Sequence, residues 1–597
     1  MNNTTIVHKN LTVKILVMMI CALSMLDTQL FVYSSLSYSL LSGSVITLLM
    51  IATLYKCRCK LDESNNVLSF FITAWIIYIV VYSNIVNSEQ YRVWYIVSSL
   101  LFALALSMLL RKCYVQWGYI ENIVLLLAGL NCVVIGFQFS GVIKSSNPFI
   151  TITGINANPS STAIYLIGAL VVILNRLIKG NHKVIYISSY LLLTCIIAVL
   201  KCRTAYIGFV ILNIIYGFYW LRTKTCICTK YNYVGSFILL SIAILMIVGL
   251  YNFKKGSSQG RIFIWKNTVD LIREHPTGYG YGMFQKTYNL AQSRYFQYNN
   301  GTDEEKEHAD FVAMPYNDYL ESGIEGGIIG MTFYALFFVL MILYSYKKKD
   351  VESFSFFLAF MFMATVNFVY TSVSVWILIM CFCAQLMSHL SNAKSERGKL
   401  LQKYSFLTVV FIVLIGILFS YKNMLFVNSQ LKLNKIHNLI KDGQSVGDLS
   451  LLVLQKNIGT SEAYYNTLGS NYILQGDYNN AVTSILEAQK YSSSPEVFYG
   501  LWDVYMRMHQ EKKAIECLKI VANMQPVHLL PKLYIMRSYI IMGNKKMAIQ
   551  YANSIVSTKA KIKNEMASEI YNEAHKYIND NNCGLRDSHK IIIKKNK

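Results

Sequence analysis

The chain has 597 residues, of which 54% are hydrophobic and only 15% are charged. Soluble domains carry about 25% charged residues, so this composition excludes a wholly soluble protein and, with it, a cytosolic enzyme. The 55 Lys and Arg residues against 32 Asp and Glu residues give a formal net charge of +23. In a chain rich in apolar runs this excess indicates membrane orientation and contact with anionic headgroups, and no nucleic-acid partner is expected.

Apolar runs of membrane-crossing length dominate the first 421 residues. A helix needs about 20 apolar residues to cross a hydrocarbon core of roughly 30 Å. The predicted fold is therefore all-α, with a polytopic bundle of about thirteen transmembrane helices in a domain at 1–421. The predicted spans lie near residues 14–33, 35–55, 67–87, 93–110, 119–139, 160–177, 183–200, 203–221, 235–251, 325–345, 353–370, 372–389 and 404–421.

Basic residues are concentrated in alternate loops of this bundle. The short loops on the other side contain only Arg92, Lys144, Lys201 and Arg203. Because Lys and Arg resist translocation, the loops rich in them are predicted to be cytoplasmic. The N-terminus should then be cytoplasmic, while the long loop 252–324 and the chain after residue 421 lie on the outer side. A single missed span would invert the C-terminal part.

The C-terminal domain, 422–597, has a soluble composition and an internal repeat. Tyr472, Tyr505 and Tyr539 are spaced by 33 and 34 residues, which is the tetratricopeptide period. Three helical hairpins are predicted near 462–494, 495–528 and 529–562, and flanking helices near 431–456 and 560–578 should cap them. Such an α-solenoid either binds a protein or peptide partner on its concave surface or serves as a packing platform over the membrane domain. Both interpretations stay open.

The loop 252–324 is the longest connection between predicted spans, and loops of this size inside compact bundles are usually functional. Its segment 261–275 has apolar residues at helical spacing and is predicted to be an amphipathic helix at the membrane interface. Gly278, Gly280 and Gly282 follow it, and they permit positive φ angles and close backbone approach. A phosphate-binding loop and a flexible re-entrant turn are both compatible with this glycine pattern.

Several short motifs follow one another on the predicted outer side. They are Asn158-Pro159, Arg203-Thr204-Ala205, Gly260-Arg261 with Trp265, His275-Pro276 with Gly278, Gly280 and Phe284, and Asn317-Asp318-Tyr319-Leu320 with Glu325 and Gly326-Gly327. In this order and spacing, residues 150–330 resemble the membrane-embedded O-antigen ligase and polymerase superfamily, which includes bacterial protein O-oligosaccharyltransferases.

The resemblance implies an enzyme of the bacterial inner membrane that moves a glycan from undecaprenyl diphosphate to an acceptor on the periplasmic face. It implies no metal and no other cofactor. The acceptor is lipid A-core, another glycan repeat unit or a protein hydroxyl, and the solenoid slightly favours the first or the last. Inner-membrane lipids and a protein or peptide bound to the solenoid are the other expected partners.

Arginine suits a diphosphate leaving group, because it is always charged and grips phosphate oxygens with two donors. The resemblance therefore points to Arg203 and Arg261 as catalytic residues, with Tyr316, Asn317 and His308 as the further candidates for catalysis. The residues expected to bind substrate are Lys201, Lys266, Arg273, Gly280, Tyr319 and Glu325. The alternative for each cation is a side chain that snorkels to lipid headgroups.

One position departs from the family pattern. The family's catalytic histidine, directly before Asn317, is Tyr316 here, and tyrosine with a pKa of about 10 is a poor base at neutral pH. The remaining candidate bases are His308, Asp318, Glu321 and Glu325. Base catalysis is dispensable if the diphosphate leaves readily, and Tyr316 then only positions the acceptor. The missing histidine also leaves open a non-catalytic membrane scaffold whose solenoid recruits partners.

Overall fold

The computed structural model describes residues 3–25, 67–111, 114–145, 147, 150–179, 183–224, 255–298, 301–388, 405–561 and 564–594. Every regular element in these ranges is an α-helix, which confirms the predicted all-α class. The chain divides into two compact units. The apolar unit comprises Met1–Lys255, His275–Gly282 and Met314–Lys432, and the solenoid unit comprises Gly256–Glu274, Met283–Ala313 and Leu433–Lys597.

The helices of the first part of the chain include those of the apolar unit and those of the long loop. They are α1 (Asn3–Leu23), α2 (Val67–Ile85), α3 (Gln90–Arg111), α4 (Trp117–Phe139), α5 (Pro159–Lys179), α6 (Lys183–Val199), α7 (Arg203–Lys224), α8 (Lys255–Glu274), α9 (Phe284–Gln297), α10 (Asp303–His308), α11 (Asp318–Lys347), α12 (Val351–Ala364) and α13 (Val373–Ser388).

A helix overlaps each predicted span that lies within the described residues, while the predicted spans 35–55 and 235–251 lie outside them. Among the described helices, α2, α3, α4, α5 and α11 are long and apolar enough to cross a membrane. Residues 11–23 of α1 and the helices α6, α12 and α13 are shorter apolar segments. The total of about thirteen spans therefore stays a prediction.

Helices α5 and α13 lie at the centre of the apolar unit. Both are buried along nearly their whole length, and α5 packs against α4, α6, α7, α12 and α13. The two helices can be buried on all sides because their sequences are apolar all round. At the last turn of α5, Arg176 pairs with Glu121 of α4 at 2.6 Å.

Two amide side chains of α4 hold the segment that leads into α5. Gln138 Oε1 accepts the N–H groups of Thr153 and Gly154, both at 2.9 Å, and Asn131 Oδ1 accepts the N–H of Ile155 at 3.0 Å. These backbone groups have no helix to pair with, so the side chains replace the missing partners. The contacts fix the entry to α5 at Pro159, whose ring suits the first turn of a helix.

The solenoid begins after a long helix and consists of helical hairpins in tandem. Its helices are α14 (Ser405–Lys441), α15 (Asp448–Ile458), α16 (Glu462–Gln475), α17 (Tyr478–Ala488), α18 (Pro495–Arg507), α19 (Glu511–Met524), α20 (Leu529–Ile541), α21 (Lys545–Ser557) and α22 (Glu565–Lys594). Pairs α16/α17, α18/α19 and α20/α21 form the three hairpins, and each packs on the next. The predicted tetratricopeptide-type solenoid is confirmed.

The repeat pattern explains how each hairpin closes. A Cβ added at Gly469 of α16 would lie 2.5 Å from the Ile485 side chain of α17, so glycine permits the close approach of the two helices. At equivalent positions of the first and third hairpins, Asp477 and Asn544 cap the second helix, each accepting a backbone N–H at 3.2 Å. Such caps satisfy amides that a helix N-terminus leaves without partners.

Lys532 of α20 gives a pH-dependent test of the solenoid. Burial, and then the neighbouring charge of Lys306, lower the pKa of Lys532 to about 8 from an ordinary 10.5. Its ammonium donates to Thr558 Oγ1 at 2.6 Å. The unfolded chain holds this proton to higher pH than the folded chain, so the stability of the solenoid should rise as the pH rises from 8 to 10.5.

Replacing Lys532 by Met should therefore stabilise the solenoid by roughly 1–3 kcal/mol at pH 7, and the advantage should shrink as the pH rises towards 10. Amide exchange of α20 and α21 in the full-length protein measures this effect. Lys512→Met, at an exposed position of α19, is the control and should change little. An advantage of Lys532→Met that is the same at every pH would contradict the assignment.

Candidate active site

The predicted site residues divide between the two units. The apolar unit contains Lys201, Arg203, Gly280, Tyr316, Asn317, Tyr319 and Glu325, whereas the solenoid unit contains Arg261, Lys266, Arg273 and His308.

The glycine turn, residues 276–282, pairs with a break in α11. At Gly327 the backbone leaves the helical region, with φ 65° and ψ −171°. The N–H groups of Tyr279 and Gly280 donate to the carbonyls of Ile324 and Glu325 at 2.8 and 3.0 Å. In the opposite direction, the N–H of Ile328 donates to the carbonyl of Pro276 at 2.9 Å. The turn therefore supplies partners for backbone groups that the broken helix leaves unpaired.

The three glycines of the turn are required by its geometry. Gly278, Gly280 and Gly282 have φ angles of 89°, 107° and 82°, a region in which side chains are strained. A Cβ at Gly280 would collide with the carbonyl oxygen of Asn87, and one at Gly278 with the backbone nitrogen of Gly327. The predicted positive φ angles and close backbone approach are confirmed.

The connection between α2 and α3 holds the other edge of the glycine turn. The N–H of Glu89 donates to the carbonyl of Tyr281 at 2.8 Å, and the N–H of Tyr281 donates to Ser88 Oγ at 3.0 Å. The Tyr281 ring lies edge-on to Tyr82 at 5.8 Å. Burial, and then the nearby Tyr78 and Glu325, raise the pKa of Tyr281 well above 10, so the side chain remains a neutral phenol.

A buried arginine joins α3 to the start of α11. Arg92 lies 2.7 Å from Glu321 Oε1 and 3.4 Å from Glu325, and its guanidinium lies 4.7 Å from the centre of the Tyr370 ring. Glu325 Oε1 also accepts the N–H of Gly282 at 3.0 Å. Glu325 is 2% exposed, so in this structure its carboxylate binds the turn and the arginine.

Asp318 ties the first turn of α11 to the 365–372 connection, which joins α12 to α13. Its Oδ2 accepts the Tyr334 hydroxyl and the N–H groups of Val369 and Tyr370, each at 2.9 Å. The predicted span 353–370 ends earlier in the structure, where α12 ends at Ala364. The carboxylate of Asp318 makes this possible because it replaces helical partners for two backbone amides.

Tyr316 and Asn317 precede α11 and have different surroundings. Asn317 Oδ1 accepts the N–H groups of Tyr319 and Leu320 at 3.1 and 3.2 Å, so it is the N-cap of the helix. Tyr319 itself donates its hydroxyl to the Met361 carbonyl at 3.2 Å. Tyr316 has a φ of 54°, which is strained for a bulky side chain and is often found at functional sites. Its ring lies 6.0 Å from that of Phe368.

Arg203 begins α7 two residues after Lys201, which is exposed and has a φ of 49°. The next residue, Thr204, accepts a hydrogen bond from Asn367 Nδ2 at 3.0 Å. Four consecutive residues of the 365–372 connection therefore make contacts. Asn367 contacts the start of α7, Phe368 contacts Tyr316, Val369 contacts Asp318, and Tyr370 contacts both Asp318 and Arg92. The structure brings these separate stretches of the apolar unit together on Asn367-Phe368-Val369-Tyr370.

In the solenoid unit, α8 includes the predicted amphipathic helix 261–275 except for its last residue. Lys266 of this helix contacts Glu305 at 3.3 Å and Tyr295 at 3.4 Å, and exposed Arg273 contacts Asp270 at 3.2 Å. A Cβ built at Gly260 would lie 3.7 Å from the Cβ of His308. His308 therefore packs beside the residue that precedes Arg261.

Helix α9 of the long loop packs against α19 of the second hairpin. Buried Gln292 donates to the Met524 carbonyl at 2.7 Å, and Ser293 donates to the Ile520 carbonyl at 2.9 Å. The Met524 carbonyl belongs to the last turn of α19, where a helix has no internal donor for it, and the Ile520 carbonyl lies four residues earlier in the same helix. Asp310 adds contacts to Lys561 at 2.8 Å and His528 at 3.2 Å. The loop and the solenoid therefore share one packed unit.

Arg92, Asn367 and Tyr370 are not among the residues predicted from sequence motifs. Arg92 appeared only among the few basic residues of the outer side, although a cation in an apolar helix is a functional signal in itself. The spacing of Glu321 and Glu325, four residues apart on one face of α11, could have indicated its partners. Asn367 lay inside a predicted span, where a single amide gave no specific signal.

Gly280 offers a direct test of this geometry. Gly280→Ala should open the glycine turn and lower the thermal stability of the apolar unit, because the new Cβ would collide with Asn87 at a positive φ. Gly129→Ala is the control, since a Cβ at Gly129 of α4 has nothing within 4 Å. Thermal unfolding in detergent and amide exchange of residues 276–283 measure both effects. Equal behaviour of the two variants would contradict the described packing.

Comparisons with known proteins bear on the same stretch of the chain. Residues 188–335 match the O-antigen ligase family. No curated protein matches the chain. Among solved structures the chain is similar to the crystal structure of the APC/C hetero-tetramer Cut9-Hcn1, with 12% identity, 90% of this chain and 83% of that chain covered, and a TM-score of 0.18. With its apolar helices, the chain is thus a multi-pass membrane protein, and its residues 188–335 are similar to the O-antigen ligase family.

Proposed function

We propose that the protein transfers a glycan from undecaprenyl diphosphate to an acceptor at the periplasmic face of the inner membrane, with lipid A-core as the favoured acceptor. The observation that carries the proposal is the O-antigen ligase match at 188–335, which includes Arg203, Arg261, Tyr316 and Asn317. Within the apolar unit, the clustering of the start of α7 and Tyr316 on the 365–372 connection supports it further.

In the proposed reaction, the acceptor hydroxyl attacks the anomeric carbon of the donor sugar. The bond between this carbon and the phosphate oxygen breaks, the new glycosidic bond forms with inversion, and the hydroxyl proton passes to a base or to solvent. Negative charge collects on the leaving diphosphate. Arg203 is suited to stabilise it, because it lies at the N-terminus of α7, where the helix dipole also favours an anion.

The surroundings of the candidate bases separate them. Asp318 accepts three hydrogen bonds in the interior, and Glu321 and Glu325 are buried against Arg92. His308 is only half-buried and packs beside the residue that precedes Arg261. We therefore favour His308 as the base if the reaction needs one, and we assign the three buried carboxylates to positioning. Tyr316 is proposed to orient the acceptor.

The cations proposed to bind substrate also differ in their surroundings. Lys266 and Arg273 each contact a carboxylate on their own unit, which reduces the charge that they offer to a diphosphate. Lys201 is exposed and lies two residues before Arg203 in the chain. We therefore propose that Lys201 supports Arg203 at the diphosphate and that Lys266 and Arg273 contribute less.

Arg203→Ala tests the proposed transfer. In a strain that lacks the gene, the wild-type protein should restore a glycosylated product, while Arg203→Ala should reduce it roughly 100-fold or more at equal membrane levels, as expected for the loss of a charge-stabilising group. Lipopolysaccharide ladders, glycan chain lengths and glycoproteins are compared on the same samples. Arg294→Ala, which removes an exposed arginine of α9, is the matched control and should retain transfer.

The restored product names the acceptor. A lipopolysaccharide ladder supports the ligase, longer glycan chains support an O-antigen polymerase, and glycosylated protein supports a protein O-oligosaccharyltransferase. Tyr316→Phe and His308→Ala in the same strain report whether the hydroxyl or the imidazole takes part. If no product depends on the wild-type protein, the proposal fails and the non-catalytic scaffold becomes the better interpretation.

A further inference from the structure

We propose that Arg92 is a positioning residue for glycan transfer: it holds the glycine turn through Glu325 and the 365–372 connection through Tyr370. Arg92 lies outside the segment that matches the O-antigen ligase family. The kinetic part of this inference rests on the proposed function, whereas its structural part does not.

Arg92 and its two carboxylate partners are buried. Arg92, Glu321 and Glu325 are 7%, 4% and 2% exposed. A buried arginine that lost its carboxylates, or carboxylates that lost their arginine, would be a charge without compensation in an apolar interior. The three side chains therefore constrain one another, and the positions of α3 and α11 are coupled through them.

Glu325 connects Arg92 to the glycine turn. Glu325 binds Arg92 with its carboxylate and accepts the N–H of Gly282 with Oε1, while its backbone carbonyl accepts the N–H of Gly280. Two amides of the turn thus depend on one residue. A guanidinium fixes a carboxylate in a plane with more than one donor, so it defines the orientation of Glu325 better than an ammonium would.

Tyr370 connects Arg92 to segments next to the candidate site residues. The Arg92 guanidinium lies over the Tyr370 ring, and the N–H of Tyr370 donates to Asp318 in the first turn of α11. Three residues earlier, Asn367 binds Thr204, which follows Arg203. Arg92 is therefore linked by direct contacts to segments that adjoin both Tyr316 and Arg203.

Arg92 is assigned to positioning because its Nε and Nη2 donors are engaged and the side chain is buried. Its Nη2 contacts both carboxylates, its Nε contacts Glu325, and the side chain is almost fully buried. A group in these surroundings is not presented to a diphosphate. It acts through the residues that it holds, as supporting groups do when they fix the geometry of a site.

Arg92→Lys provides the test, because it keeps the charge and removes the planar guanidinium. The matched control is Arg176→Lys, the same substitution in the other Arg–Glu pair of the described apolar unit, where Arg176 contacts Glu121 at 2.6 Å. We expect Arg92→Lys to lower kcat roughly 10- to 100-fold with the donor KM nearly unchanged. Arg176→Lys should retain kcat even if both variants lose similar thermal stability.

Amide exchange of residues 276–283 in the full-length protein gives a second readout that does not depend on activity. Exchange should be faster in Arg92→Lys and unchanged in Arg176→Lys, because Arg92 contacts Glu325 whereas Arg176 contacts Glu121. If turn exchange is the same in both variants, or if kcat falls in both in proportion to stability, the positioning role is overturned. If the wild type transfers no glycan but exchange differs as expected, the proposed function fails while the structural link stands.

Discussion

A helix that is broken inside an apolar bundle must find partners for the backbone groups it exposes, and α11 finds them in the glycine turn. The break at Gly327 leaves the carbonyls before it without helical partners, and these carbonyls accept hydrogen bonds from amides of the turn. The N–H of Ile328 donates to the carbonyl of Pro276. In surroundings without water each such group is costly to leave unpaired. This pairing requires three glycines with positive φ, the α2–α3 connection at one edge and Glu325 at the other.

A second constraint places the 365–372 connection next to residues of the candidate site. Asp318 accepts hydrogen bonds from two amides of the 365–372 connection, so α12 can end early. The chain that follows α12 then contacts Tyr316 and the start of α7. The buried carboxylates in the first turns of α11 thus accept hydrogen bonds from backbone amides of two non-helical segments, the glycine turn and the 365–372 connection. The residues proposed to meet substrate are Arg203 and Tyr316, which lie next to these structural contacts in the chain.

The apolar helices and the solenoid could be predicted because they rest on local patterns: apolar runs of membrane length, a period of 33 to 34 residues, and glycine where two helices approach. Residues of the candidate site could be predicted only where they belong to a recognisable sequence motif. Motifs pointed to Arg203, Tyr316 and the glycines as candidates, but Arg92, the partner of Glu325 in the apolar interior, lies more than 200 residues away in the chain. The docking of α9 on α19 through Gln292 is equally non-local, and an amide in a loop does not indicate which carbonyl it will meet.

Transfer by the purified protein tests the account most directly. The full-length chain is reconstituted in vesicles with an undecaprenyl-diphosphate-linked glycan and, in separate samples, lipid A-core, a glycan repeat or an acceptor protein. The account predicts an acceptor-dependent glycosylated product from the wild type and its loss in Arg203→Ala. Folded wild-type protein that forms no product with any of the three acceptors would contradict it.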